Sequence, residues 1–198
     1  MNIFGLSLLI FAYQALLSPA LSTVLAGQSL NLIFVPCYLA LSVSLLLSIL
    51  PIRWWTSIRT EFFAWATLAG VPFSLVAFTE IVNRMNAAMV AIAPKLDLKK
   101  AFIEELVNTT FSSYIPWIVV TLALPFLCYG VFLGRSLQSL KGDKLIRFLM
   151  MEFAGAAAGI LIGCFLLEVD LFAFKGTILF AILIAIAIIG RNRKKVAF

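Results

Sequence analysis

The chain reads as long apolar runs separated by short polar breaks. Between Met1 and Ile52 there is no charged side chain at all, and the first is Arg53. A run over 3–25 leads to a small break at Gly27, Gln28 and Ser29, and a second run over 30–50 stops at Pro51. Further runs cover 62–82, 114–133, 148–167 and 171–190. A helix of about 20 such residues is roughly 30 Å long, which matches the hydrocarbon thickness of a bilayer. It also satisfies its own backbone hydrogen bonds there. The runs are continuous, whereas a barrel strand alternates in and out. The pattern therefore predicts an all-α integral membrane protein, a six-transmembrane-helix bundle forming a single domain over 1–198. The first run has no basic residues ahead of it, so it reads as a retained helix and not as a secretory signal.

The polar breaks add detail. Arg53, Trp54, Trp55 and Arg59 place tryptophans beside cations, the composition of a headgroup-level anchor. Residues 83–113 form the longest stretch between spans, and Leu98, Phe102, Ile103, Leu106 and Val107 recur there at helical spacing. This predicts an amphipathic extramembrane segment between helices 3 and 4, lying on the membrane surface or capping the bundle. Glu80 and Arg84 are spaced to pair on one helical face. Pro19 and Pro36 fall within predicted spans, where each removes a backbone donor. Asn108, Thr109 and Thr110 match a glycosylation acceptor, a triplet that also arises in ordinary polar turns.

Composition agrees with lipid as the solvent. The chain is 63% hydrophobic and 12% charged, with mean hydropathy +1.10, and a soluble domain is about 45–50% apolar. The net charge is +6, but the cations lie at the edges of the runs and do not interleave with aromatics, so nucleic acid is not an expected partner. With six alternating spans, one side collects Arg53, Arg59, Arg135, Lys141, Lys144, Arg147, Arg191, Arg193, Lys194 and Lys195. The other side has half as many, namely Arg84, Lys95, Lys99, Lys100 and Lys175. The richer side is expected to be cytoplasmic, with both termini inside a bacterial inner membrane.

Candidate chemistry is sparse. Histidine is absent, which removes His-ligated haem or zinc and His-based catalysis. Cys37, Cys128 and Cys164 each fall in a predicted span and read as small apolar residues. No phosphate-cradling loop, metal-ligand cluster or nucleophile with its base occurs, so no catalytic residue, metal or cofactor is expected.

Two features stand out in the fifth run. Gly155, Gly159 and Gly163 recur every four residues and leave one helical face nearly bare. That face can admit a partner helix or pack tightly inside the same bundle. Glu152 stands one turn earlier on the same face, where a carboxylate is costly unless paired, protonated or wetted. It is a candidate cation or proton site, or else a partner for Arg147, Lys144 or a neighbouring helix. Gln14 is expected to hydrogen-bond across helices.

The run Glu152-Phe153-Ala154-Gly155-Ala156-Ala157-Ala158-Gly159 follows a Pro125-Phe126 helix and a basic loop. It resembles the membrane region of spermidine-synthase-like proteins, in which an acid-x-x-Gly-Ala-x-x-Gly pattern opens a late membrane helix. The stretch from Leu21 to Pro51, with Gly27-Gln28-Ser29 and its ending at Leu50-Pro51, is similar to the opening helical pair of that family. The family's aminopropyl transfer belongs to a soluble Rossmann-like domain that follows the helices. Its nucleotide loop and acidic amine-binding residues have no counterpart here, so the resemblance implies the membrane module alone.

Two functions follow as expectations. One is a non-enzymatic accessory, scaffold or assembly subunit that meets a protein partner or a second copy through its membrane helices. The other is a small transporter or solute-binding subunit, with a polyamine-like cation at Glu152.

Overall fold

The computed structural model describes residues 3–24, 31–50, 58–92 and 100–168, and the predicted sixth run over 171–190 lies outside them. Every regular element among the described residues is a helix: α1 (Ile3–Val24), α2 (Asn31–Ile49), α3 (Thr60–Ile92), α4 (Lys100–Ser139) and α5 (Asp143–Glu168). Three stretches are long and apolar enough to cross a membrane, namely Thr60–Ala88, Ser112–Ser139 and Asp143–Phe165. The described side chains of α1 and α2 make two shorter apolar helices, Ile3–Leu17 and Val35–Ile49.

Two helices run past the ends that hydropathy predicts. α3 continues beyond Val82 to Ile92, and α4 starts at Lys100. The 83–113 stretch is thus shared between the end of α3 and the start of α4, with 93–99 outside the described residues. The physical reason is that polarity alone does not end a helix. Once nucleated, a helix propagates through residues such as Asn86, Ala87 and Ala88. Arg84 Nε donates to Glu80 Oε1 at 2.7 Å, the expected i,i+4 pair, across the point where the apolar run stops. Pro36, Pro72, Pro116 and Pro125 all lie inside helices, so proline does not mark the ends either.

Packing divides the helices into two groups. α5 lies along α1, and α4 runs between α2 and α3. Between the groups, α1 meets α3 and α4 more lightly along the backbone. That space is filled by side chains, including Leu6, Ile10, Tyr13, Val71, Leu75, Leu122, Phe126 and Tyr129, all fully or almost fully buried. The outward faces carry large apolar residues such as Phe73, Trp117, Val120, Phe153 and Leu161, each more than 60% exposed, as suits contact with lipid.

Candidate functional site

On α5 the buried positions among the described side chains are Glu152, Gly155, Gly159 and Gly163. Phe153, Ile160, Leu161 and Phe165 face outward. The bare stripe is pressed onto α1 of the same chain. A Cβ added at Gly155 would come within 2.4 Å of the Phe4 carbonyl oxygen, and one at Gly159 within 2.4 Å of the Leu8 carbonyl oxygen. At Gly163 it would meet the Ala15 Cβ at 2.4 Å. Only glycine lets the two backbones approach this closely. The face that could have admitted a partner helix is thus occupied by α1.

Just above this stripe, Glu152 turns inward and is 8% exposed. The Tyr129 hydroxyl of α4 donates to its Oε1 at 3.1 Å. Ser7 Oγ of α1 lies 2.6 Å from Tyr129 Oη. A phenol has one proton, and Tyr129 directs it at Glu152, so the Ser7 hydroxyl is the donor of the second bond. The result is an ordered chain, Ser7 to Tyr129 to Glu152, that draws on three helices. Arg147 and Lys144, the local candidates for pairing, are exposed and make no ion pair with Glu152.

The same layer between the two helix groups holds further polar bonds. The Tyr13 hydroxyl on α1 bonds Ser74 Oγ on α3, and both residues are buried. Gln14 Nε2 bonds the Tyr38 hydroxyl on α2, which gives Gln14 the cross-helix role expected of it, while its buried Oε1 has no partner among the described residues. The Tyr13 ring packs against Phe126 with centroids 6.1 Å apart. α1 therefore reaches the other group through hydroxyls and an amide, whereas it reaches α5 through bare backbone.

Sequence reasoning did not anticipate the second small-residue seam. On α4, a Cβ at Gly130 would fall 2.8 Å from the Leu41 carbonyl oxygen and 1.9 Å from Ser44 Oγ. One at Gly134 would fall 2.0 Å from Ser48 Oγ. The two serines turn their hydroxyls back to their own helix, Ser44 to Leu41 O at 2.8 Å and Ser48 to Leu45 O at 2.6 Å, so neither is left as an unpaired donor in the seam. The signal was present as Gly130-x-x-x-Gly134 and Ser44-x-x-x-Ser48, split between distant helices. Nor did the sequence single out Ser7 or Tyr129, which are ordinary residues until the fold sets them beside Glu152.

The cysteines Cys37, Cys128 and Cys164 are free thiols, buried, half-buried and exposed in turn. Among the described residues no three His, Cys, Asp or Glu side chains gather in a metal-binding group. Comparison with protein-family models, with characterised proteins and with solved structures gave no match.

Proposed function

We propose that this chain is a six-span protein of the cytoplasmic membrane that binds a small cation or a proton at Glu152, between two groups of helices that move relative to one another. The observation that carries the reading is the buried Glu152 carboxyl, which accepts from the Tyr129 hydroxyl and has no ion pair among the described residues. At 1.5 Å per residue it lies roughly 6 Å along α5 from Phe148, where the apolar run begins. Ionisable groups at such depth are costly and serve as ion or proton sites in transport proteins.

The packing supports movement between the groups. Within the groups, α5 meets α1 and α4 meets α2 at glycine and serine seams that admit no slack. Between them lies a side-chain layer crossed by hydroxyl and amide bonds, which can exchange partners at low cost. Rocking of one rigid helix group against another around a central site is a common transport geometry. The Arg59 and Arg135 end is assigned to the cytoplasm by its excess of cations. A polyamine-like cation is the solute class that the resemblance to spermidine-synthase-like membrane modules suggests.

The test is uptake by the full chain in proteoliposomes, using a labelled diamine and, separately, a pH-sensitive dye for protons. Glu152→Gln should abolish whichever flux the parent shows, and Tyr129→Phe should lower it about tenfold, the worth of one hydrogen bond to a charged group. Undiminished flux in Glu152→Gln, or no flux of either kind in the parent, overturns the reading. An accessory-subunit role would need a surface other than the glycine face. It would be recognised by a second protein that co-purifies at fixed stoichiometry.

A further inference from the structure

The helix ends at the Arg59 side form a wide-open surface cavity of about 460 Å³, lined by Ser48, Ile58, Arg59, Thr60, Arg135, Gln138 and Ser139. We propose that this cavity binds a phosphate group, supplied by the headgroup of an anionic phospholipid or by a soluble phosphate ester.

Arg135 is a cation that closes the α3–α4 seam. Its Nη1 donates to the Ile58 carbonyl oxygen, and its guanidinium carbon lies 5.0 Å from the centroid of the Phe63 ring. A carbonyl on one side and an aromatic ring on another hold the guanidinium plane in a fixed orientation. A guanidinium has five N–H donors in a planar fork, the geometry that matches two oxygens of a phosphate. Gln138, one turn further along α4, donates from Nε2 to the Ser48 carbonyl oxygen at 3.1 Å and ties α2 into the cavity wall.

Arg59 supplies a second cation across the opening. Its side chain is 84% exposed and its Nη2 sits 3.5 Å from Glu61 Oε2, also exposed. That pair is loose and solvated, so Arg59 can swing towards an anion while Glu61 opposes it. Thr60 begins α3 at the cavity rim and adds the positive end of that helix. Lys141, Lys144 and Arg147 follow on the turn and the first turns of α5, and Asp143 is the acid among them. The helix-terminal position is the level of lipid phosphates, where each nearby Lys or Arg strengthens attraction to an anionic surface.

The experiment measures lipid retention by the full purified chain in mild detergent, using native mass spectrometry with phosphatidylglycerol and with phosphatidylcholine. The parent should retain phosphatidylglycerol preferentially. Arg59→Gln should lower that retention about fivefold, and Glu61→Gln should raise it about threefold, as expected for surface charges near a phosphate. Arg135→Gln should abolish it. Because Arg135 also holds α3 to α4, the exposed Arg59 and Glu61 variants decide the matter if Arg135→Gln fails to fold. Glycerol phosphate and inorganic phosphate, added at millimolar concentration, separate the sources. Displacement of the lipid by either one assigns a soluble ester, and no displacement assigns the lipid headgroup. Retention that is the same for both lipids, or unmoved by Arg59→Gln and Glu61→Gln, overturns the proposal.

Discussion

The Tyr129 hydroxyl lies 3.1 Å from Oε1 of Glu152, and this bond joins two helices whose backbones scarcely meet. α4 and α5 are neighbours in sequence through a short turn at Gly142, yet α5 packs on α1 and α4 packs on α2 and α3. The polar chain through Ser7 therefore spans the boundary between the two helix groups.

Breaking that bond should be measurable as stability. Tyr129→Phe is expected to lower the unfolding free energy in detergent by about 1 to 2 kcal/mol, because it leaves a buried carboxyl without its donor. In a Glu152→Leu background the same change should cost less. A double-mutant cycle that gives no coupling between the two positions would show that the bond contributes nothing.

Glycines on the α1–α5 seam should be far less tolerant than a glycine in ordinary contact. Gly159→Ala drives a methyl to 2.4 Å from the Leu8 carbonyl oxygen, and backbone must move to admit it. A loss of about 1 to 3 kcal/mol is expected. Gly70→Ala, whose methyl would meet Pro125 at 3.7 Å, should stay within about 0.5 kcal/mol of the parent. Thermal unfolding of both variants in one detergent compares them directly.

At the α2–α4 seam the clash is partly with a side chain, so it should be partly reversible. Gly130→Ala meets Ser44 Oγ at 1.9 Å and the Leu41 carbonyl oxygen at 2.8 Å. Adding Ser44→Ala removes the first obstacle and leaves the second. The double variant should recover part, but not all, of the lost melting temperature. Full recovery would mean that the backbone approach is not limiting.

Gly142 presents a different constraint. Nothing stands within 4 Å of an added Cβ, but its φ of 57° is left-handed. Gly142→Ala should cost about 1 to 2 kcal/mol from backbone strain alone. Gly142→Asn should cost less, since asparagine tolerates that conformation. Equal stabilities for the parent and both variants would show that the turn relaxes.

Much of the architecture was legible in one dimension, and particular residues show how far. Gly155, Gly159, Gly163 and Glu152 were recognised as one helical face because their spacing follows from the helix period alone. The end of α3 was not recognised, because hydropathy reports where a helix leaves lipid, and Glu80 and Arg84 leave it without ending the helix. The Gly130 and Gly134 seam was missed because half of its signal lies on α2. A close approach requires small residues on both helices, and no local pattern says which helices meet.

The sequence by itself determined that the chain is helical and apolar enough for lipid, since run length and hydrocarbon thickness are local properties. It also determined that a carboxyl and three glycines share a face of α5. Only the tertiary structure decided that this face closes on α1, that Tyr129, itself bonded to Ser7, donates to Glu152, and that Arg135 and Arg59 line one surface cavity. These pairings join residues far apart in the chain. Their geometry comes from which helix surfaces fit together, a property of shapes in three dimensions that no periodicity along the chain encodes.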